Sequence, residues 1–450
     1  MTIDAQPVRR SFFTDLMSVG VTRIAVSAMT ILTGIIVAHE IGADGKGMVA
    51  ALTVAPLLVL TFSELGVHQA TAYMLGRKTT PDHLIVSTVA ILFAISSTIS
   101  AAVCIAYFTT TWLPGYTWTL ILLAIATVPS HIAISYASGV FLGKETIVQF
   151  NRAKWVWALS TLILTILLVW RLRLDVSGVL LANALSGFGM ALYAGFVVFR
   201  MIPFRLEFDP SLAMQLMRLG ASYAAALFII TMFYKINIFL LQRLASLEEL
   251  GIYALSANLA EYVWQIPSTM ATVIFSRGAN ARDGKAFTQK VVVVFRVCLV
   301  LSIVAAVGIA ALSPIVVPFV YGEDFRRAPI VLSAMLPGVV AFIVFRVLNT
   351  DLAGKGKPKV AMGAVLPGLA VNACLTLLLA PTYGALGAAA ATSVSYLIAA
   401  IIYLALYCRA LDLDAWDVMR YRKSDIDFVL ARIPLPKSLL ARLRPTEKTD

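Results

Sequence analysis

Long apolar runs recur along the chain, and short polar segments separate them. A membrane-spanning helix needs about 20 apolar residues, because the hydrocarbon core is ~30 Å thick and each helical residue rises 1.5 Å. The clearest run extends from Leu84 to Phe108 and contains no charged residue. The pattern predicts six helices in each half of the chain: 12–38, 46–75, 84–108, 117–142, 146–170, 177–199, and then 211–241, 249–276, 288–313, 327–349, 358–380 and 384–408. Residues 314–321 either extend the ninth helix or form a short interfacial turn.

The composition agrees with lipid as the main solvent. Hydrophobic residues make up 60% of the 450 residues and charged residues 13%, with a mean hydropathy of +0.87. Soluble proteins carry about 25% charged residues. The longest polar segment is the tail from Arg409 to Asp450, so no separate soluble domain has room for its own core. The sequence therefore predicts an all-α membrane protein of about twelve transmembrane helices that is not an enzyme.

The distribution of Lys and Arg predicts the orientation in the membrane. Of the 36 basic residues, 26 lie on the side of the N-terminus and 6 on the opposite side, while 4 fall within the predicted helices. Short cytoplasmic loops carry the excess of positive charge. We therefore expect a multi-pass protein of the inner (plasma) membrane with both termini in the cytoplasm. Because the basic residues sit in loops and at helix ends, the net charge of +12 does not indicate a nucleic-acid partner.

The sequence indicates neither a disulfide nor a metal site. The four cysteines lie within or at the ends of apolar runs, and no CxxC pair occurs. No cofactor is predicted. The first apolar run is too long for a cleaved signal peptide and is expected to remain as the first membrane helix. The amphipathic tail is interpreted either as a segment on the anionic lipid surface or as disordered chain.

An internal repeat relates the two halves. Three pairs of segments match in order, at offsets of 209, 211 and 204 residues: those starting at Gly178 and Gly387, at Gly143 and Gly354, and at Gly47 and Gly251. Six helices cross the membrane an even number of times, so both halves enter from the same side and are related by an axis along the membrane normal. We expect an N-terminal lobe at 1–200, a C-terminal lobe at 201–408 and a basic cytoplasmic tail at 409–450.

Small-residue loop motifs resemble those of a known transporter family. The motifs are Ile41-Gly42-Ala43-Asp44-Gly45-Lys46-Gly47, Glu64-Leu65-Gly66-Val67, Tyr321-Gly322-Glu323-Asp324-Phe325, Leu352-Ala353-Gly354-Lys355-Gly356 and Tyr383-Gly384-Ala385-Leu386-Gly387-Ala388-Ala389. Over residues 12–408 the chain is similar to the polysaccharide (oligosaccharide-lipid) flippases of the multidrug/oligosaccharidyl-lipid/polysaccharide exporter superfamily.

The resemblance implies a V-shaped, alternating-access carrier that moves a polyprenyl-diphosphate-linked oligosaccharide from the cytoplasmic to the outer leaflet. Its implied partners are membrane lipids, a polysaccharide polymerase and glycosyltransferases. An ion-coupled multidrug or metabolite antiporter and a lipid II flippase are the alternatives within the superfamily. A membrane polymerase or ligase is disfavoured because the predicted outer loops are short.

Four basic residues lie inside predicted spans and are candidates for substrate binding: Arg23, Lys235, Arg296 and Arg346. Charged groups are costly in lipid and usually have a functional reason to be there. Arginine matches a diphosphate with its bidentate fork. The alternative is that the long side chains extend to the interface and play no part in transport.

Three further residues are candidates for ion coupling: Glu64, His68 and Glu261. A carboxylate is too short to reach the interface from mid-span, so it must face a cavity, find a partner or be protonated. His68 lies four residues after Glu64, which on a continuous helix places both on one face as a proton-relay pair. The alternative is a hydrogen-bond network that only joins helices.

Overall fold

The computed structural model describes residues 12–422 and residue 425, apart from 65, 78–79, 145, 204, 206, 266, 268–283, 356–359 and 423–424. The side chains of residues 12–24 and of a few other helical positions also lie outside the description. Every regular element among the described residues is a helix. The prediction of an all-α protein is confirmed.

The helices follow one another with short connections. They are α1 Phe12–Ser63, α2 Val67–Arg77, α3 Asp82–Thr110, α4 Trp118–Gly143, α5 Ile147–Thr165, α6 Asp175–Met201, α7 Pro210–Leu244, α8 Leu247–Glu261, α9 Gly284–Tyr321, α10 Ala328–Ala341, α11 Ile343–Gly354, α12 Val360–Leu411 and α13 Ala415–Met419. A π-helical turn, Ile166–Arg171, continues α5, and 3₁₀ turns lie at Tyr262–Trp264 and Glu323–Phe325.

Local sequence explains where several helices begin. The Thr117 hydroxyl accepts a hydrogen bond from the backbone N–H of Leu120 and caps α4. The Asp209 carboxylate accepts from the N–H groups of Ser211 and Leu212, and Pro210 follows at the first helical position of α7. Both arrangements satisfy backbone donors that a helix start leaves without partners.

Helices α1 and α12 each contain two predicted spans. Each has 52 residues, which at 1.5 Å per residue is ~78 Å and more than twice the hydrocarbon thickness. Each is interrupted by a glycine with positive φ, Gly42 at 64° and Gly384 at 55°. Only glycine adopts this backbone conformation readily. The predicted connections at 39–45 and 381–383 lie at or directly beside these glycines.

The second predicted span, 46–75, is not one helix. Helix α1 ends at Ser63 and α2 starts at Val67, with Gly66 at φ 62° between them. A Cβ on Gly66 would overlap the backbone of Gly220 in α7. The break allows this close approach of two backbones, and the prediction of a continuous helix was wrong.

The later spans also differ in detail from the prediction. Helix α9 continues through Pro314 and Pro318 to Tyr321, so residues 314–321 extend the ninth helix. The tenth span is divided at Phe342 into α10 and α11. Of the predicted helix 249–276, the described part is α-helical to Glu261 and then 3₁₀, and 268–276 lie outside the described residues.

The surface composition is that of a membrane protein. Among the described residues, nine helices are long and apolar enough to cross a bilayer, and two of these are the double-length α1 and α12. Large apolar side chains lie fully at the surface, such as Phe319 at 84% exposure and Ile315 at 75%. Lipid accommodates such residues, whereas water would not. The chain is therefore a multi-pass membrane protein of about twelve helices.

Glycines bring helices into close contact within the first half. Gly139 and Gly143 lie one turn apart on α4 and face α2, where a Cβ would lie 2.5 Å from the carbonyl oxygen of His68 and 3.0 Å from that of Ala72, respectively. This spacing of small residues is typical of closely packed membrane helices. It fixes the position of α2 directly after the break at Gly66.

Two further contacts extend the predicted repeat. Gly187 on α6 packs against the Ser130 side chain on α4, and Gly338 on α10 packs against the backbone of Ser393 on α12. Ser130 and Gly338 are 208 residues apart, and Gly187 and Ser393 are 206 apart. The two halves thus use a Gly–Ser contact at matching positions.

The contacts divide the chain into two compact units. The first comprises Met1–Ser256, Pro314–Val331 and Ala373–Ala388. The second comprises Ala257–Ser313, Leu332–Asn372 and Ala389–Asp450. The lobe boundaries predicted from the repeat, at residues 200 and 408, remain predictions.

Candidate functional site

Arg346 is held by an aromatic cluster in the second unit. Its guanidinium carbon lies 4.2 Å from the ring centroid of Trp264. The Trp264 ring is itself fixed, because its Nε1–H donates to the carbonyl of Val339 at 2.8 Å and it packs against Phe342 and Tyr396. A cation on the face of an indole is attracted by the ring and restricted in orientation. Arg346 is half-buried, so the structure presents an oriented guanidinium inside the span.

Lys235 is half-buried on α7, two residues before a neutral polar cluster. The cluster centres on Asn237, whose amide nitrogen donates to Tyr253 at 3.0 Å and to the carbonyl of Ala388 at 3.1 Å. The Thr376 hydroxyl donates to the amide oxygen at 2.8 Å. Asn237 is 1% exposed. Sequence reasoning missed this cluster because it searched the spans for charge, although an Asn in an apolar run is itself a signal.

Arg296 is fully engaged by the segment that follows the last span. It is 5% exposed, and its Nε donates to the carbonyl of Val418 at 3.0 Å. One terminal nitrogen pairs with Asp425 at 3.1 Å, and the other donates to the carbonyl of Asp417. These contacts favour a structural role, since they direct the guanidinium to the tail. The predicted substrate contact of Arg296 stays untested. The side chain of Arg23 lies outside the described residues.

Glu64 and His68 lie at the α1–α2 break. Glu64 hydrogen-bonds with Ser135 of α4, next to Tyr136, which shares a hydrogen bond of 3.3 Å with Ser96. Glu64 lies in the turn after the end of α1, and the positive φ of Gly66 separates it from His68 in α2. The shared helix face assumed from their spacing is therefore wrong. Their proposed role in ion coupling remains a prediction.

Glu261 lies where α8 changes from α to 3₁₀ geometry. Its side chain is half-buried and close enough to the Tyr262 hydroxyl for an electrostatic interaction. Glu64 and Glu261 thus both occupy irregular points of their spans. The coupling role of Glu261 also remains a prediction.

Asp351 forms a polar network that the sequence did not indicate. Its carboxylate is fully buried on α11 and accepts hydrogen bonds from Thr288 at 3.1 Å, Tyr407 at 2.9 Å and Lys355 at 3.0 Å. Lys355 also donates to Thr288. The predicted span ended at residue 349, which placed Asp351 in a loop. Helix α11 instead continues to Gly354 and carries the carboxylate inside.

An acidic side chain lies at the kink of each double-length helix. The Glu249 carboxylate accepts from the N–H of Ala385 at 2.7 Å and forms an ion pair with Arg327. A Cβ on Gly384 would meet this carboxylate, and a Cβ on Gly42 would lie 2.6 Å from an oxygen of Asp324. Both kinks therefore combine a positive-φ glycine with a nearby carboxylate.

Comparison with known proteins assigns the family. The sequence model described as lipid II flippase MurJ matches residues 17–435, nearly the whole chain. The protein belongs to the MurJ family. No curated protein matches the sequence.

Solved structures share the fold at low identity. A lipid II flippase MurJ in an inward closed conformation superposes with a TM-score of 0.69 at 14% identity, covering 96% of each chain. An inward-facing multidrug resistance MATE transporter of the MOP superfamily gives 0.68 at 13% identity, covering 87% of this chain and 98% of the other. A MOP superfamily transporter from Pyrococcus furiosus gives 0.64 at 13%, covering 90% and 96%.

These findings support the superfamily predicted from the loop motifs and leave its polysaccharide branch a prediction. The superfamily is confirmed, because the MurJ family and the MATE transporters both belong to the predicted superfamily fold. The matching family model is that of the lipid II flippases, which was one of the alternatives within the superfamily, and the polysaccharide branch is not confirmed. The small-residue motifs lie at kinks and helix ends, where they specify the fold better than the substrate. The family match indicates a flippase or transporter of this superfamily.

Proposed function

We propose that the protein is an alternating-access flippase that moves a polyprenyl-diphosphate-linked saccharide from the cytoplasmic to the outer leaflet of the plasma membrane. The observation that carries the proposal is the match to the MurJ family over residues 17–435. The transported substrate is lipid II or a polyprenyl diphosphate that carries a longer oligosaccharide. The family match supports lipid II, and the loop motifs support the oligosaccharide.

The diphosphate is the part of such a lipid that the described side chains suit best. Arg346 offers a guanidinium oriented by Trp264, which can form two parallel hydrogen bonds to phosphate oxygens. Lys235 offers a point charge on α7. We propose that each of these residues contacts the diphosphate at a stage of transport, as does Arg23.

An ion-coupled multidrug or metabolite antiporter is the alternative function that the sequence analysis left open. Its support is similarity to MATE transporters at 13% identity, which shows a shared fold and gives no information about the substrate. The proposed glycosyltransferase partners would supply the lipid-linked saccharide on one face of the membrane. The proposed polymerase would consume it on the other face.

The test reconstitutes the protein into vesicles that contain a fluorescent lipid II or a fluorescent lipid-linked oligosaccharide. A membrane-impermeant quencher added outside measures how much saccharide has crossed. We expect protein-dependent crossing of one or both lipids and none of a fluorescent phospholipid. Ala at Arg346 or Lys235 should slow crossing about tenfold or more, as expected for the loss of a charge-assisted contact.

The matched control is Arg171→Ala, which removes an exposed basic residue at the end of α5. Crossing should be unchanged in this variant. Equal crossing of the phospholipid would contradict a specific flippase. Normal crossing in both Ala variants would show that Arg346 and Lys235 do not contact the substrate. It would not contradict the proposed flippase activity.

A further inference from the structure

An apolar groove runs between α3 and α6 and has α4 as its floor. It encloses about 480 Å³. Its two polar side chains are already satisfied, because the Ser130 hydroxyl donates to the carbonyl of Thr127 at 2.7 Å and Tyr136 pairs with Ser96. The groove therefore presents no described polar group in need of a partner and suits an apolar occupant.

The sequence of α6 shapes the groove. Ala191 and Gly195 lie one turn apart and leave the hollow, and a Cβ added to Gly195 would meet nothing within 4 Å. Larger side chains form the rim, among them Leu192 at 74% exposure and Phe196 at 63%. Small residues inside and large ones at the edge make a channel that opens sideways, toward the lipid. Its volume falls in the range of about 300–1,000 Å³ that is typical of ligand sites.

An exposed arginine lies at one end of the groove. The lining residues occupy the part of α6 that ends at Met201, and exposed Arg200 directly follows the lining residue Phe199. At the same end Lys144 is paired with Asp82, and His83 lies 3.5 Å from Glu207. The positive-inside pattern predicts that this end faces the cytoplasm. An apolar channel that ends at an arginine is complementary to a lipid chain with an anionic phosphate head.

We propose that this groove holds the first isoprene units of the lipid-linked substrate as it enters from the cytoplasmic leaflet, with Arg200 facing its diphosphate. The inference rests on the proposed function and adds a binding site for the chain. The chain must stay in apolar surroundings while the saccharide crosses, because exposing it to water costs free energy in proportion to its area. The hollow left by Ala191 and Gly195 gives room for the methyl branches of an isoprenoid, and Phe196 on the rim packs against them.

The test is photo-crosslinking of labelled polyprenyl diphosphate in phospholipid nanodiscs. A benzophenone amino acid replaces Leu192 on the groove rim or, as a control, Ile163 on α5, which is exposed to lipid outside the groove. We expect crosslinking at Leu192 to exceed that at Ile163 by about tenfold. Unlabelled polyprenyl diphosphate should compete, and added phosphatidylglycerol should not.

Two glycines of the same helix give matched variants. Gly195→Phe fills the groove, and Gly189→Phe adds the same side chain at an exposed position where a Cβ also meets nothing within 4 Å. Crosslinking at Leu192 should fall to the Ile163 level in Gly195→Phe and remain in Gly189→Phe. Arg200→Ala should weaken it, and Arg200→Lys should restore part of it.

Equal crosslinking at the two positions, equal competition by phosphatidylglycerol, or full crosslinking in Gly195→Phe would overturn the proposal and identify ordinary membrane lipid as the occupant. The crossing assay with unmodified protein is scored separately. Failure there would reject the proposed flippase, whereas failure of crosslinking with normal crossing would reject only the groove.

Discussion

Gly47 and Gly251 pack backbone against backbone. A Cβ on Gly47 would overlap the carbonyl oxygen of Leu247, and a Cβ on Gly251 would overlap that of Ala43. Each glycine thus meets the residue four positions before the other, so the contact is reciprocal. The two glycines are also partners in the internal repeat, 204 residues apart. The contact thus joins the two members of one predicted repeat pair, while the two-fold relation between the lobes remains a prediction.

Replacing either glycine by alanine should destabilise the protein, because no side chain shift can relieve an overlap with backbone. We expect a loss of about 1–3 kcal/mol or more for Gly47→Ala and Gly251→Ala. The apparent melting temperature in detergent measures this. Gly34→Ala is the control, since a Cβ there meets nothing within 4 Å and alanine favours the helix. Similar melting of all three variants would show that the contact can relax.

The ion pair between Arg296 and Asp425 should hold the tail. Both side chains are buried, at 6% and 1% exposure, and removing one partner of a buried pair typically costs about 3–5 kcal/mol. Asp425→Asn should therefore make the chain after Leu411 sensitive to protease while the spans remain intact. Asp417→Asn is the control, because Asp417 pairs with Arg422 at the surface, where ion pairs contribute little. Equal protease sensitivity of both variants would argue against a specific anchor.

The Asp351–Lys355 pair should contribute to stability in the same way. Asp351→Asn leaves Lys355 without its negative partner beside Thr288 and Tyr407, so a loss of ~3 kcal/mol is expected. The double variant Asp351→Asn with Lys355→Met should recover much of the loss, which a thermal-melting cycle measures. Additive effects of the two changes would show that the residues do not act as a pair.

The sequence predicts the helices well because the bilayer sets their length. Helix α3 was predicted at 84–108 and is observed at Asp82–Thr110, and α6 was predicted at 177–199 and is observed at Asp175–Met201. The break at Gly66 was not predictable in this way. It depends on the approach of Gly220, which lies more than 150 residues away in the chain.

The candidate site was predicted less completely than the fold. A charged residue in an apolar run marks a position that needs a partner, and Arg346, Lys235 and Arg296 were found by that rule. The rule does not identify the partner. Arg296 is bound by the tail, over 120 residues later, and Asp351 was missed because the predicted span ended at residue 349. Such partners are set by packing between distant segments.

The orientation in the membrane is a further prediction. An alkaline phosphatase fused after Pro114, in the connection between α3 and α4, should be active, because this connection is predicted to face outward. The same reporter fused after Lys357 should be inactive. The reverse pattern would place the termini outside and move the basic end of the α3–α6 groove to the outer surface.

Glu64 is the acid whose position best suits coupling to a proton gradient. It lies at the α1–α2 break, is half-buried and hydrogen-bonds with Ser135 of α4. A carboxylate at a helix break can meet a different environment when the helices move, and it then gains or loses a proton. Glu64→Gln keeps the shape and most of the hydrogen bonding but cannot release a proton. We expect this variant to retain its melting temperature and lose the acceleration of saccharide crossing by an imposed pH gradient.

The Glu64 prediction needs a control that separates coupling from helix packing. Ser135→Ala removes the hydrogen-bond partner and leaves the carboxylate able to titrate, so gradient-dependent crossing should persist with a shifted pH profile. His68→Gln tests the second proposed proton carrier, which lies in α2, whereas Glu64 lies in the turn before it. If Glu64→Gln responds to the gradient like the unmodified protein while Glu64→Ala lowers the melting temperature, the carboxylate serves only to join α1, α2 and α4.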